Sequence, residues 1–214
     1  VIFMSEGRKI DNFSMKVWME TLENIIGKSG LESILNFAHL HTYIDNPVPD
    51  NDELEIPAED FRALIHSMTE LFGAKGARVL QIQVGREFVR IGVEKRPGMA
   101  KALRVAARLL PENKRMRLAL QKWIEGVEQR FPSQLDIPRF ELEEDEDYFI
   151  FTDRDNVSSG GMTSEHPVYG AFVGVLQALM EWVTGHPHEV EEIKCRAMGD
   201  TADVFRISKL RKER

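Results

Sequence analysis

The chain has 214 residues, 43% of them hydrophobic, enough for one sizeable core and for a reading as a single domain. Lys and Arg number 28 against 35 Asp and Glu, a net charge of −7. That balance argues against nucleic acid, because phosphate binding needs clustered cations. One cysteine excludes an internal disulfide and fits a reducing, cytoplasmic setting. No apolar run reaches the ~18–20 residues of a membrane span, no signal-peptide pattern is visible, and Met4 reads as a start residue.

Residues 14–27 predict a first helix, with Trp18, Leu22, Ile25 and Ile26 on one face and Gly27 and Gly30 closing it. Residues 31–44 predict a second, with Leu31, Ile34, Leu35, Ala38 and Leu40 apolar. His39 and His41 lie two apart, about 200° around a helix, so they do not share a metal. The acidic, proline-rich segment 45–59 reads as a solvated loop. Pro57 then opens a helix whose face is Phe61, Leu64, Ile65, Met68, Leu71 and Phe72, stopped by Gly73.

Residues 77–94 carry two patterns. Alternation in Leu80-Gln-Ile82-Gln-Val84 and Val89-Arg-Ile91-Gly-Val93 suits a hairpin; Leu80, Val84, Phe88 and Ile91 also make a helical stripe. The residues themselves leave both open. Residues 99–110 and 114–131 predict two further helices, the second carrying Leu118, Leu120, Trp123, Ile124 and Val127.

Residues 132–138 form the clearest boundary. Beyond it, 140–151 read as a hairpin with acidic residues at its turn. Tyr148 and Ile150 occupy one face of its second strand, and Phe149 and Phe151 the other. A polar, glycine-rich loop follows over 153–164. Residues 166–184 are a helix on Val168, Phe172, Val175, Leu176, Leu179 and Val183, stopped by Gly185 and Pro187. Two short strands, 190–196 and 202–207, meet at the turn Met198-Gly199-Asp200. The basic end from Lys209 reads as a frayed, solvated tail. The fold class is therefore α+β: a helical N-terminal half, then a ββαββ antiparallel unit.

The C-terminal run Glu192-x-x-Cys195-x-x-x-Gly199-Asp200-x-x-x-x-Phe205-x-Ile207 resembles the end of the 4-vinyl reductase domain. The resemblance is strongest over 140–208. It implies a TRAPP-like fold, with residues 1–131 as a helical, dimerising extension and 138–208 as the ββαββ core. It also selects helix for 77–94 and implies a homodimer through the first three helices. In zinc-binding members of that family the metal is held by a cysteine, a glutamate and two further cysteines. Those places fall here on Tyr169, Glu192, Cys195 and Asp203, a degenerate set. Structural zinc prefers four Cys or His ligands, so zinc is not expected, and any other cofactor stays unknown.

No catalytic signature is present: no Gly-x-Ser-x-Gly, Walker loop, Gly-x-Gly-x-x-Gly, His-Glu-x-x-His or paired-cysteine spacing. A binding module is favoured over an enzyme. The resemblance implies a hydrophobic or aromatic small molecule held between helices and sheet. Phe88, Trp123, Tyr148, Phe172, Leu176 and Met180 are the candidate lining; the plain alternative is that they are core. Two other readings stay open: an enzyme or accessory protein of tetrapyrrole vinyl-group reduction, and a ligand-free dimeric scaffold.

Overall fold

The computed structural model describes residues 7–107, 109–131, 133, 135–159 and 161–213. Met4, Pro132 and Gly160 of the glycine-rich loop lie outside them. The chain opens with β1 (Lys9–Asp11), then α1 (Asn12–Phe37), a one-turn α2 (Thr42–Asp45), β2 (Leu54–Pro57) and α3 (Ala58–Lys95). Helices α4 (Pro97–Ala107) and α5 (Glu112–Arg130) follow. The C-terminal part is β3 (Phe140–Glu144), β4 (Tyr148–Asp153), α6 (Gly170–Thr184), β5 (His188–Lys194) and β6 (Asp203–Arg211). The α+β class and the ββαββ order are those expected.

The stops expected at Gly27 and Gly73 are kinks rather than ends. Gly27 takes φ 75°, ψ 167° inside α1, and Gly73 takes φ 69°, ψ 163° inside α3. Only glycine enters that region without a Cβ penalty, so each helix changes direction and resumes. The segment 77–94 is helical throughout, as chosen: Ala77, Gln81, Val84, Gly85 and Val89 form one buried stripe. The second helix ends earlier than its apolar pattern suggests, because His39 turns left-handed at φ 58°.

The loop expected at 45–59 needs correcting at its end. Residues of β2 pair antiparallel with β1, Ile10 opposite Ile56. Strands of three and four residues are too short to display an alternation. The first helices pack together within the chain. Their apolar faces close on each other: Trp18, Leu22, Ile34 and Leu35 of α1 share one buried cluster with Phe61, Leu64, Ile65 and Met68 of α3. Ile25 and Phe37 of α1 and Leu71 and Phe72 of α3 stay exposed.

The main sheet is antiparallel in the order β3-β4-β6-β5. One face packs against α6, joining Phe149, Phe151, Phe205 and Ile207 to Phe172, Val173, Leu176 and Met180. The expected frayed tail is instead strand as far as Arg211, tied to α5 by Arg211–Glu112 at 2.5 Å. Helix α6 also lies directly on α3. A Cβ on Gly85 would meet the Ala171 carbonyl oxygen at 1.9 Å, and one on Gly174 would meet the Ile82 carbonyl at 2.1 Å. The two missing side chains let the backbones touch, and so bring the helical half against the sheet half.

Candidate functional site

A cavity of about 440 Å³ opens where α1, α3, α5 and α6 converge. Its apolar wall is aromatic: Trp18, Phe61, Phe88, Trp123, Phe172 and Tyr169. Phe88 and Trp123 meet edge to face at 6.2 Å, and Trp123 contacts Phe172 at 6.1 Å. Val84 and Gly85 on α3 and Gly126 and Val127 on α5 complete the helical sides. A second cavity of about 490 Å³ lies between α3, α4, α5 and α6, and shares Phe88, Arg96, Lys122, Trp123 and Gly126 with the first.

The polar wall is cationic. Arg8, Arg96, Lys122, Arg130 and Arg139 line it against one carboxylate, Asp11. In a chain whose net charge is −7, that local excess of positive charge is informative. Two of the cations are firmly neutralised. Arg139 holds Asp153 through two bonds of 2.9 and 3.0 Å, with both side chains buried. The Asp153 charge keeps the Arg139 guanidinium protonated against the cost of burial. Arg8 holds Asp155 at 2.8 Å. Arg96 and Arg130, by contrast, share Asp52. Arg96 donates to both its oxygens, at 2.8 and 3.0 Å, and Arg130 pairs with Oδ1 as well. Asp52 is 55% exposed and sits on the loop between α2 and β2. Its carboxyl is held below the ordinary range by the two guanidiniums, which outweigh its partial burial. Lys95 pairs with Asp50 on the same loop. The loop is therefore tied to the ends of α3 and α5 by ion pairs, and to α1 by Asn12, which donates to Asn51 Oδ1 at 2.8 Å and to the Glu53 carbonyl at 3.0 Å.

Of the six candidate lining residues, Phe88, Trp123 and Phe172 meet at the cavity. Leu176 and Met180 do not; both are fully buried in the core between α6 and the sheet. Tyr148 lies on the opposite face of β4, its ring 5.1 Å from the Arg206 guanidinium. Strand alternation decides this: Phe149 and Phe151 take the face under α6, so Tyr148 is turned away.

The degenerate metal set behaves differently. Glu192, Cys195 and Asp203 do converge, all buried, with their ligand atoms within 4.8 Å of one another. Tyr169 offers them only its backbone N–H, to Glu192 at 3.3 Å. Glu192 accepts from Arg78 at 2.9 Å. Asp203 accepts from Ser159 at 2.6 Å, Asn156 at 3.2 Å and the Arg196 backbone at 2.9 Å. Burial raises both carboxyl pKa values, and pushes the Cys195 thiol up to about 12. The arrangement is a hydrogen-bonded buried network centred on protonatable groups.

The residues that sequence reasoning passed over are the cations. Arg8, Arg96, Arg130 and Arg139 are scattered over the whole chain, and each alone reads as a solvated surface residue. Nothing in their spacing marks them as one wall.

No family model and no curated protein matches this chain. Solved structures do. An Fe(II) unliganded H-NOX (haem nitric oxide/oxygen binding) protein from K. algicida superposes with a TM-score of 0.60 at 13% identity, over 96% of this chain and 98% of that one. A structure from a study of heme distortion in the H-NOX family gives 0.61 at 14%, over 96% and 98%. The H-NOX from Shewanella woodyi, solved in its Fe(II)CO ligation state, gives 0.58 at 14%, over 95% and 96%. These matches overturn the resemblance to the 4-vinyl reductase family, and with it the hydrocarbon-type hydrophobic partner, the vinyl-reduction alternative and the ligand-free scaffold. The TRAPP-like reading of the ββαββ unit finds no support in them. Over 95–96% of its length the chain has the fold of the H-NOX proteins.

Proposed function

We propose that this chain is a ligand-sensing domain of the H-NOX type, with the cavity between α1, α3, α5 and α6 as its ligand site. The observation that carries the reading is the cavity itself: its wall is drawn from both halves of a fold that matches H-NOX proteins over nearly its whole length. Phe88, Trp123 and Phe172 would supply flat apolar contact, and the arginines would hold acidic groups. The single buried cysteine agrees with a cytoplasmic setting. Among the described residues no helix is long and apolar enough to cross a membrane.

Haem, which the matched proteins' titles name, has to be tested against the donors present. Haem iron takes His, Cys, Met or Tyr as a protein ligand. Among the described residues the cavity wall holds no His, Cys or Met. Its one phenol, Tyr169, is stacked on Phe172 at 5.2 Å and edge-on to Phe205 at 5.7 Å, so the ring is locked into the core. Burial, with Asp153 nearby, raises its pKa and opposes the phenolate a metal would need. The acidic edge of a porphyrin fits this wall, and its iron finds no ligand among the wall's described residues.

The test is a haemin titration of the purified protein and of Val127→Trp, which fills the cavity from α5. Saturable binding of one haemin per chain is expected, without the absorbance of protein-ligated iron, and Val127→Trp should abolish it. If Val127→Trp binds haemin like the parent protein, the cavity is not the ligand site and the reading fails.

A further inference from the structure

Charge is unevenly spread along this chain. Residues 95–117 carry eight Lys and Arg and one acid, Glu112, in a protein whose net charge is −7. Helix α4 lies inside that segment and has no acidic residue. Three of the cations are paired, Lys95 with Asp50, Arg96 with Asp52 and Arg117 with Glu144, and Glu112 is taken by Arg211. Lys101, Arg104 and Lys114 are exposed and enter no ion pair among the described residues.

Helix α4 has two sides. Leu103 and Ala106 border the second cavity. Lys101 and Arg104, three residues apart, share the other side with Val105, where they line a shallow depression together with Val93 and Pro97. The Arg104 guanidinium is steadied over the Trp182 ring at 5.1 Å. Aliphatic side chains stand bare beside these cations: Val105 is 65% exposed and Leu109 92%. An anionic bilayer leaflet matches both, because it offers negative headgroups and acyl chain side by side. Nucleic acid would meet the cations and leave the aliphatic groups in water. The acidic remainder of the chain is repelled by such a leaflet, which turns this side towards it.

We propose that α4 and the turn after it form a peripheral docking surface for an anionic lipid membrane, with Lys101, Arg104 and Lys114 on the headgroups and Val105 and Leu109 among the acyl chains. The helix lies on the leaflet and does not cross it, in keeping with its 11 residues. The surface is independent of what either cavity binds.

The experiment sediments the full chain with vesicles of phosphatidylcholine alone, and of phosphatidylcholine with about one-third phosphatidylserine, at low and high salt. Binding to the anionic vesicles alone is expected, falling as salt rises. Each Lys or Arg near such a surface contributes about fivefold in partitioning, so Lys101→Gln with Arg104→Gln should weaken binding by roughly tenfold or more. Val105→Ser with Leu109→Ser should also weaken it by roughly tenfold, with the salt dependence kept. All four side chains are exposed, so the variants should melt like the parent. Lys28→Gln, at an exposed cation on α1, should bind like the parent. The proposal is overturned if anionic vesicles fail to bind the chain at low salt, or if neutral vesicles bind it equally well. It is also overturned if Lys101→Gln with Arg104→Gln binds like the parent. If Val105→Ser with Leu109→Ser binds like the parent, the stripe is a plain anion-binding face suited to an acidic protein, and the membrane proposal falls.

Discussion

Gly85 and Ala171 are in backbone contact: a Cβ on Gly85 would stand 1.9 Å from the Ala171 carbonyl oxygen. With Gly174 against Ile82, it sets the distance between α3 and α6, and hence where the cavity opens beside them. Gly85→Ala and Gly174→Ala should each force the helices apart and cost ~1–3 kcal/mol or more, seen in urea denaturation. Gly126→Ala is the control. It lies in α5 with nothing within 4 Å of its Cβ position, and should stabilise by ~0.5–1 kcal/mol. Equal effects at all three positions would mean that α3 and α6 do not touch.

Strand β4 gives a second contrast. Phe149 is fully buried under α6, whereas Tyr148 faces away and meets Arg206. Phe149→Ala should cost ~3–5 kcal/mol. Tyr148→Ala should lose only the exposed cation–π contact, ~0.5–1 kcal/mol. Melting curves of the two variants check this, and a reversed order would place the strand in the opposite register.

Cys195 should be chemically silent in the folded protein. It is fully buried, and burial pushes its thiol up to about 12. Thiolate is the reactive form, so a thiol reagent such as dithionitrobenzoate at mildly alkaline pH should label it only after unfolding. Rapid stoichiometric labelling of native protein would contradict the buried network around Glu192 and Asp203.

That network should also leave a mark on stability against pH. Burial raises the Asp203 pKa above its ordinary 3.8, the hydrogen bonds from Ser159, Arg196 and Asn156 only partly offsetting it. The folded state then holds a proton that the unfolded chain has released. Asp203 therefore favours folding fully below 3.8, and loses that contribution as pH rises through its raised folded value. Asp203→Asn removes this titration. Its melting temperature should fall less than the parent's between acid and neutral pH. A steeper fall in the variant would show that Asp203 is stabilised as the anion.

The sequence by itself determined the elements. Apolar spacing located the first half of α3, and α5 and α6, but left residues 77–94 between helix and hairpin; alternation located β3 and β4, and Gly27 and Gly73 marked the points where helices turn. These features are local, being set by which residues share a helical or strand face. The same logic stopped where a face had to find its partner. Much of the apolar sides of α1 and α3, read as an interface for a second copy, is buried between the two helices, while Ile25, Phe37, Leu71 and Phe72 stay exposed. Periodicity shows that a face is buried and does not say against what. Glu192, Cys195 and Asp203 were grouped only through the resemblance to the 4-vinyl reductase family, which the matches overturn, yet the three side chains do converge. The cation wall was not visible, because Arg8, Arg96, Arg130 and Arg139 approach only when α1, α3 and α5 converge. Only the tertiary structure could decide that Arg96 and Arg130 share Asp52. A charge pair has no sequence period, and its strength depends on distance and exposure, which the folded chain alone sets.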